Sequence, residues 1–379
     1  MKFIIVLSRI KMGVTGFLNF LRTKHPDLVQ TADLSAFAYT RVFVDISSYI
    51  YKYMCIFGKT NNAWIYPMLG LARSFNAAHV HFVPVFDGKP PPEKGDEIAD
   101  RREKRQKNQE RIEKLEIALN NYNLGFRGEE VYSVLEGELK SLESRKNRRE
   151  PPRLKYKSDE RLKKEDIAEL TRYLADIKKQ QIFIKEPDII MLKEAFSAVG
   201  VSWIQAPCES EDYCCLCIKS GLGRAVISCD SDCLIHGAES LITNLDKDGT
   251  ITYINVADVL ARLEVTPQQL VDVAIMLGCD YNRHIKTNKC GPVSALTWIK
   301  KWGCIENIPD ELLGKECLLL DKCRRLFNTE ETVIAIPRNF GSEWECREVA
   351  EKYGLKLQSL LNSLETADWP ETEFLFVES

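Results

Sequence analysis

Histidine is scarce in this chain, five among 379 residues, too few for metal centres built on imidazole, the usual arrangement for zinc or copper. Paired cysteine spacing is lacking as well. Thirteen cysteines are present, but Cys214 to Cys217 is a lone C-x-x-C with no second pair at zinc-finger distance, and Cys208, Cys215, Cys229 and Cys233 follow no ligand pattern. In a chain this long they form no disulfide framework, and reduced, mostly buried thiols are the expectation. No stretch approaches the apolar length of a membrane span. The apolar run Phe3 to Leu7 is too short for a signal peptide and is followed by no small-residue cleavage site. No internal repeat is visible. The sequence therefore reads as an intracellular protein with no membrane attachment. An excess of charge of one sign is also missing: the net is −3, so total charge does not announce a polyanionic partner.

What is there is a globular composition, 45% hydrophobic and 28% charged, with its charge unevenly placed. Residues 101–180 hold 22 Lys and Arg against 16 Asp and Glu, a net of +6, and the remainder carries −9. An acidic body with a basic segment suits a metal-binding core with an arm for nucleic acid, although a solvated helical insertion has the same composition.

Short β-rich runs alternate with helical periodicity, the pattern of an α/β domain with a mostly parallel central sheet. Strands are predicted at Arg41–Ile46, His79–Phe86, Val199–Gln205, Gly223–Cys229 and Thr250–Ile254, the last after a turn at Asp246–Gly249. Apolar residues at three- and four-residue spacing predict helices at Trp64–Ala78, Asp188–Ala198, Cys208–Ser220 and Pro267–Leu277. The interruption from Lys94 to Lys185 is rich in Lys, Arg, Glu and Gln and reads as long polar helices forming an arm or lid.

In an open parallel sheet, ligands bind beyond the carboxyl ends of the strands. Asp45 ends the first predicted strand and Asp87 follows the second. Asp230 and Asp232 follow the Gly223–Cys229 strand, and two-apart residues in extended backbone project from one face. Glu209 and Glu211 open a helix, where free N–H groups favour carboxylates, and Asp280 ends the helix from Pro267. Any one of these could be a cap or turn residue. Seven together would repel and shift toward protonation unless divalent cations neutralised them. Oxygen ligands of this kind suit Mg, with Mn as a substitute. Two such ions about 4 Å apart can activate water and stabilise a leaving oxygen, as phosphoryl chemistry requires.

MGVTGFLNFL from Met12, VFVDISSYIY, VFDGKPP, APCESED, SCDSDCLIHG and VDVAIMLGCDY resemble, in this order, the conserved blocks of XPG/flap endonucleases. The resemblance spans residues 12 to about 302 and is poor only in the arm. It implies a PIN-like 5′-nuclease fold with a helical arch insertion and a helix–two-turn–helix that grips duplex DNA. It divides the chain into an N-terminal nuclease region at 12–105, a basic arch at 106–187, an internal nuclease region at 188–302 and a C-terminal helical region at 303–379. It makes Asp45, Asp87, Glu209, Glu211, Asp230, Asp232 and Asp280 the ligands of two Mg ions, Lys94 and Arg101 the basic pair facing the scissile phosphate, and Tyr51 an aromatic that stacks a base. Family members start at the glycine that is here Gly13, close to the metals. Met12 is accordingly the favoured initiator. The helix–two-turn–helix would comprise Pro267–Leu277 and Pro292–Lys300, with Gly291–Pro292 as its second turn and His284, Lys286 and Lys289 keeping the hairpin basic. Relatives hold potassium in that hairpin; Asn282–Cys290 is longer here and keeps the family's turn only in part, so the resemblance leaves potassium binding in this chain open.

The implied activity is structure-specific hydrolysis of branched or nicked DNA at 5′ flaps, nicks or other junctions, by a monomer in the nucleus, or the host nucleus, since the compact C-terminus and cysteine content resemble members encoded by large DNA viruses. Lys356–Ser379 contains no sliding-clamp peptide pattern. A catalytically silent junction binder is the reading from another class, but a binder has no need of seven repelling acids. An RNA-directed nuclease of the PIN or exoribonuclease type is the third, and the helix–two-turn–helix pattern beside Asp280 favours duplex DNA over it.

Overall fold

Short runs of β-branched and aromatic residues build a mixed seven-stranded sheet. The computed structural model describes residues 13–146, 161–282, 290–315, 318–328, 336–337 and 339–364. It divides into two compact units, one of Met1–Glu97 with Ile184–Ser379 and one of Ile98–Phe183.

The strands of the first unit are β1 (Gln30–Asp33), β2 (Arg41–Asp45), β3 (His81–Phe86), β4 (Ile204–Gln205), β5 (Ala225–Ile227), β6 (Ser240–Leu245) and β7 (Thr250–Asn255), in the order β1-β7-β6-β5-β2-β3-β4. From β6 to β4 every pairing is parallel, whereas β7 runs antiparallel to both β6 and β1. Three expectations are corrected. Ile46 is not part of β2 but opens the helix that follows it. Only Ile204–Gln205 of the expected Val199–Gln205 strand pairs, because β3 offers it just Val85 and Phe86 as partners. The antiparallel edge of β1 and β7, and β6 itself, were not foreseen, since QTAD and SLITNL mix polar and apolar residues without a buried run.

Alternate residues of β2 and β3 serve opposite faces, as pleating demands. Phe43, Val83 and Val85 join one core with Val226, Leu241 and Ile254. On β3 the intervening Phe82 packs against Phe75 at 4.9 Å and Phe196 at 5.8 Å. With both faces covered, the central strands are fully buried.

The helices, in chain order, are α1 (Phe17–Lys24), α2 (Ile46–Phe57), α3 (Ile65–Ala77), α4 (Gly95–Asn123), α5 (Glu129–Lys146), α6 (Lys164–Gln180), α7 (Glu186–Ala198), α8 (Ser210–Lys219), α9 (Asp232–Ile235), α10 (Val256–Leu263), α11 (Pro267–Leu277), α12 (Pro292–Trp302), α13 (Leu320–Phe327), α14 (Glu343–Tyr353) and α15 (Leu357–Leu361). Thr266 and Gln269 form a reciprocal capping box at the start of α11, with Pro267 at its first position. Gly278, at φ 90°, stops that helix.

The second unit is helical, as expected of the arm. Leu115, Ala118, Leu119, Leu135, Leu162 and Leu170 form its own small core. Arg111 pairs with Glu138, and Arg161 reaches Glu129 at 2.6 Å and Glu136 at 2.5 Å. Met12 and the residues before it, the hairpin residues His284, Lys286 and Lys289, and the tail beyond 364 lie outside the described residues.

Candidate active site

The carboxyl ends of the parallel strands lie along one edge, and the loops leaving them carry acids. Asp45 is the last residue of β2 and Asp87 the first beyond β3. Glu209 caps α8, and Glu211 stands in its first turn. Gly88 lets these two loops approach: its N–H donates to the Cys208 carbonyl at 2.6 Å, and a Cβ there would meet the Ala206 carbonyl at 2.1 Å.

Beyond β5 the chain turns sharply. The Asp232 N–H donates to Asp230 Oδ1 at 2.8 Å, and Asp232 opens α9. The two aspartates therefore reach one site through a tight turn, not along extended backbone. Asp280 stands three residues past the end of α11 and is not its last residue. One carboxylate oxygen from each of Asp230, Asp232 and Asp280 lies within 4.8 Å of the others. Gly13, at φ 71°, packs directly on this group; a Cβ would sit 2.0 Å from Asp230 Oδ1 and 2.8 Å from Asp232 Oδ1. The Thr15 N–H donates to the Gly278 carbonyl at 3.0 Å and fastens the N-terminal segment beside Asp280.

Serines hold the other two aspartates. The Ser210 hydroxyl lies 2.8 Å from both Asp45 Oδ1 and Asp87 Oδ1, and the Ser210 N–H donates to Asp87 Oδ1 at 3.0 Å. One hydroxyl proton serves one acceptor at a time, so Ser210 bridges the pair. Ser47 donates to Asp87 at 2.5 Å and Ser48 to Asp45 at 2.7 Å. The acid pattern gave no sign of this layer, because a serine between two glutamates has no spacing signature.

Lys94 is the cation of the site. Its ammonium is buried, 2.5 Å from Glu209, 3.4 Å from Glu211 and 3.3 Å from Asp280. Burial opposes its charge, but attraction by Glu211, Glu209 and Asp280 outweighs that and holds it above the ordinary lysine value.

Five of the acids are raised, as crowded carboxyls out of water are. Burial, then repulsion from Asp87, raises Asp45 to about 6. Burial, then Asp280, raises Asp230 to about 7. Asp232 and Glu211 are pushed well above the carboxylate range by burial, with Asp230 adding to both. Glu209 is raised by burial against the pull of Lys94. Asp232 Oδ1 is buried without a hydrogen-bond partner among the described residues. Buried oxygen donors that are mutually repelling and incompletely satisfied fit hard divalent cations.

Of the remaining expected residues, Tyr51 is half-buried on α2, directly after Asp45, and its hydroxyl meets Cys55. Gly291 caps α12 with Pro292 at its first position, and α12 packs against α11. Arg101 is exposed and belongs to the second unit.

Comparison with known families matches the XPG N-terminal domain at residues 12–108 and the XPG I-region at 200–280. Flap endonuclease 1 of Ostreococcus lucimarinus (strain CCE9901) is 28% identical over 316 residues, covering 79% of this chain and 68% of that protein. A protein described as a RAD2-like endonuclease of Frog virus 3 (isolate Goorha) is 26% identical over 323 residues, covering 84% and 83%. Among solved structures, flap endonuclease-1 from Methanococcus jannaschii superposes with a TM-score of 0.55 over 90% of this chain and 97% of that one; at 17% identity it bears on the fold alone. The chain thus carries both the XPG N-terminal domain and the XPG I-region around its acid cluster, and it is similar to flap endonucleases over most of its length.

Proposed function

We propose that this nuclease is a divalent-metal-dependent, structure-specific enzyme that hydrolyses phosphodiester bonds of DNA at single-strand/duplex junctions such as 5′ flaps and nicks, in replication, repair or recombination. The observation that carries the reading is the convergence of Asp45, Asp87, Glu209, Glu211, Asp230, Asp232 and Asp280 with Lys94 at the carboxyl edge of the parallel strands.

In this reading the seven acids hold two Mg ions, with Mn able to substitute. Bound there, the ions supply the Lewis-acid charge and the activated water that phosphodiester hydrolysis needs. Ser210, Ser47 and Ser48 keep the Asp45 and Asp87 oxygens aimed into the site. Lys94 meets negative charge developing on the phosphate, and Arg101 is the second basic residue of the pair. Gly13 leaves the space over Asp230 and Asp232 free of a side chain. The α11–α12 pair, with the backbone N–H groups of Gly291 and of the residues after Pro292 at the start of α12, grips the duplex backbone together with Lys286 and Lys289, and Tyr51 stacks a base near the cut. The names of the relatives, flap endonuclease 1 and RAD2-like endonuclease, support branched DNA as the substrate. The place of action is then intracellular, in the nucleus or a host nucleus.

The test is cleavage of a 5′-labelled panel of flap, nicked, bubble, four-way and single-stranded DNA and RNA, with and without Mg, beside Asp232→Ala. Mg-dependent cutting at a DNA junction, lost in the variant, supports the reading. Absence of Mg-dependent cutting on every substrate, or a preference for RNA, overturns it.

A further inference from the structure

Immediately behind the acids lies a buried polar knot with no part in the chemistry described above. Asp212 follows Glu211, Tyr281 follows Asp280, and His236 stands one helical turn beyond Asp232. The His236 Nε2 and Asp212 Oδ1 atoms are 2.9 Å apart, with their residues 2% and 7% exposed. The Tyr281 hydroxyl faces the same Asp212 carboxylate. Its ring lies 5.6 Å from the Lys94 ammonium. Phe327 of α13 closes the group, 4.8 Å from the His236 ring and 5.6 Å from that of Tyr281.

An eighth carboxylate, itself buried, adds repulsion to the other seven, and an apolar pair would fill the same space at lower electrostatic cost. What an apolar pair cannot do is hold the Tyr281 hydroxyl. Through that contact, Asp212 fixes the ring against which Lys94 rests. The three residues also bring together three segments far apart in sequence, those that carry Glu211, Asp232 and Asp280. Outer groups that orient ligating carboxylates influence metal affinity strongly although they touch neither metal nor substrate.

We propose that Asp212, His236 and Tyr281 are positioning residues: they set Lys94 and the Glu211, Asp232 and Asp280 carboxylates in the arrangement that binds divalent cations. The inference rests on the nuclease reading.

The test uses the full chain, with Tyr281→Phe as the main variant, because it removes one hydroxyl and keeps the ring and its packing. Mn binding to the free protein is measured by calorimetry, and single-turnover cleavage of a flap substrate is measured at saturating DNA. Tyr281→Phe is expected to bind Mn about 10-fold more weakly and to cut more slowly, with unchanged DNA affinity. Asp212→Asn is expected to do the same, and the double variant to be no worse than the poorer single one, since both break one unit. Wild-type Mn affinity in Tyr281→Phe, or losses that multiply in the double variant, would overturn the positioning role alone. Failure of the wild-type chain to bind Mn would overturn the nuclease reading and the positioning role together.

Discussion

Gly13 and Ser210 are the residues on which the acid cluster depends most without contributing an acid. Gly13 combines a positive φ with a Cβ position inside the Asp230 carboxylate. Gly13→Ala must displace Asp230, and displacement of a catalytic group by about 1 Å can cost about 100-fold in rate. The expected outcome is a loss of that order in single-turnover cleavage; a rate within a few-fold of wild type would contradict the packing. Ser210→Ala removes the hydroxyl shared by Asp45 and Asp87. It should weaken Mn binding by about 10-fold with little change in DNA affinity, measured by calorimetry and filter binding. The titration of the acids has a direction that can be checked. Asp45 and Asp230 have ordinary values of 3.8, raised on folding to about 6 and about 7. An acid with a raised value binds its proton more tightly when folded, so its contribution to stability is complete below about 4 and is lost as pH rises through 6 to 7. In EDTA the melting temperature should fall across that window, and Mg should restore it more at pH 8 than at pH 5. A metal-free melting temperature that rises over the same range would refute the crowding. The acids were legible in the sequence because all but Asp280 end or follow a strand, and Asp280 closely follows a helix. Ser210, Asp212 and His236 were not, because nothing in spacing reveals which polar residue a fold will bury beside a carboxylate.

At the scale of elements, the central strands were legible because VFVD and HFVPVF are continuous apolar runs. The edge strand β1, whose QTAD alternates between half-buried and exposed positions, carries no such signal, although its Gln30 accepts from the Tyr253 hydroxyl of β7 at 2.6 Å. The helix α11 declared itself through apolar residues at three- and four-residue spacing, and Thr266 with Gln269 caps it. Thr266→Ala, which removes the oxygen accepting the Gln269 N–H, should cost about 1 kcal/mol in chemical denaturation. The turn that lifts Asp232 into α9 was read as extended backbone, because β-strand periodicity carries no information on where a strand stops. The site survives that misreading, since either backbone path delivers both carboxylates to one place.

On the scale of the whole molecule, the arm expected from the polar composition is a helical unit with its own core. Six buried residues against the large core of the first unit make it the weaker of the two. Leu135→Ala, at a fully buried position, should lower stability within the second unit by about 2–5 kcal/mol. Hydrogen exchange should show the protection lost in 98–183 and retained in the β-sheet. Equal loss in both units would mean that the second does not unfold independently. The most direct test of the account is single-turnover cleavage of a 5′-labelled flap DNA across a Mg titration, for the wild-type chain and for Asp232→Ala. The account predicts a wild-type rate that is nil in EDTA, rises with Mg and saturates, and a variant with no cleavage at any Mg concentration; a wild-type rate indifferent to EDTA, or a variant that cuts like wild type, would contradict it.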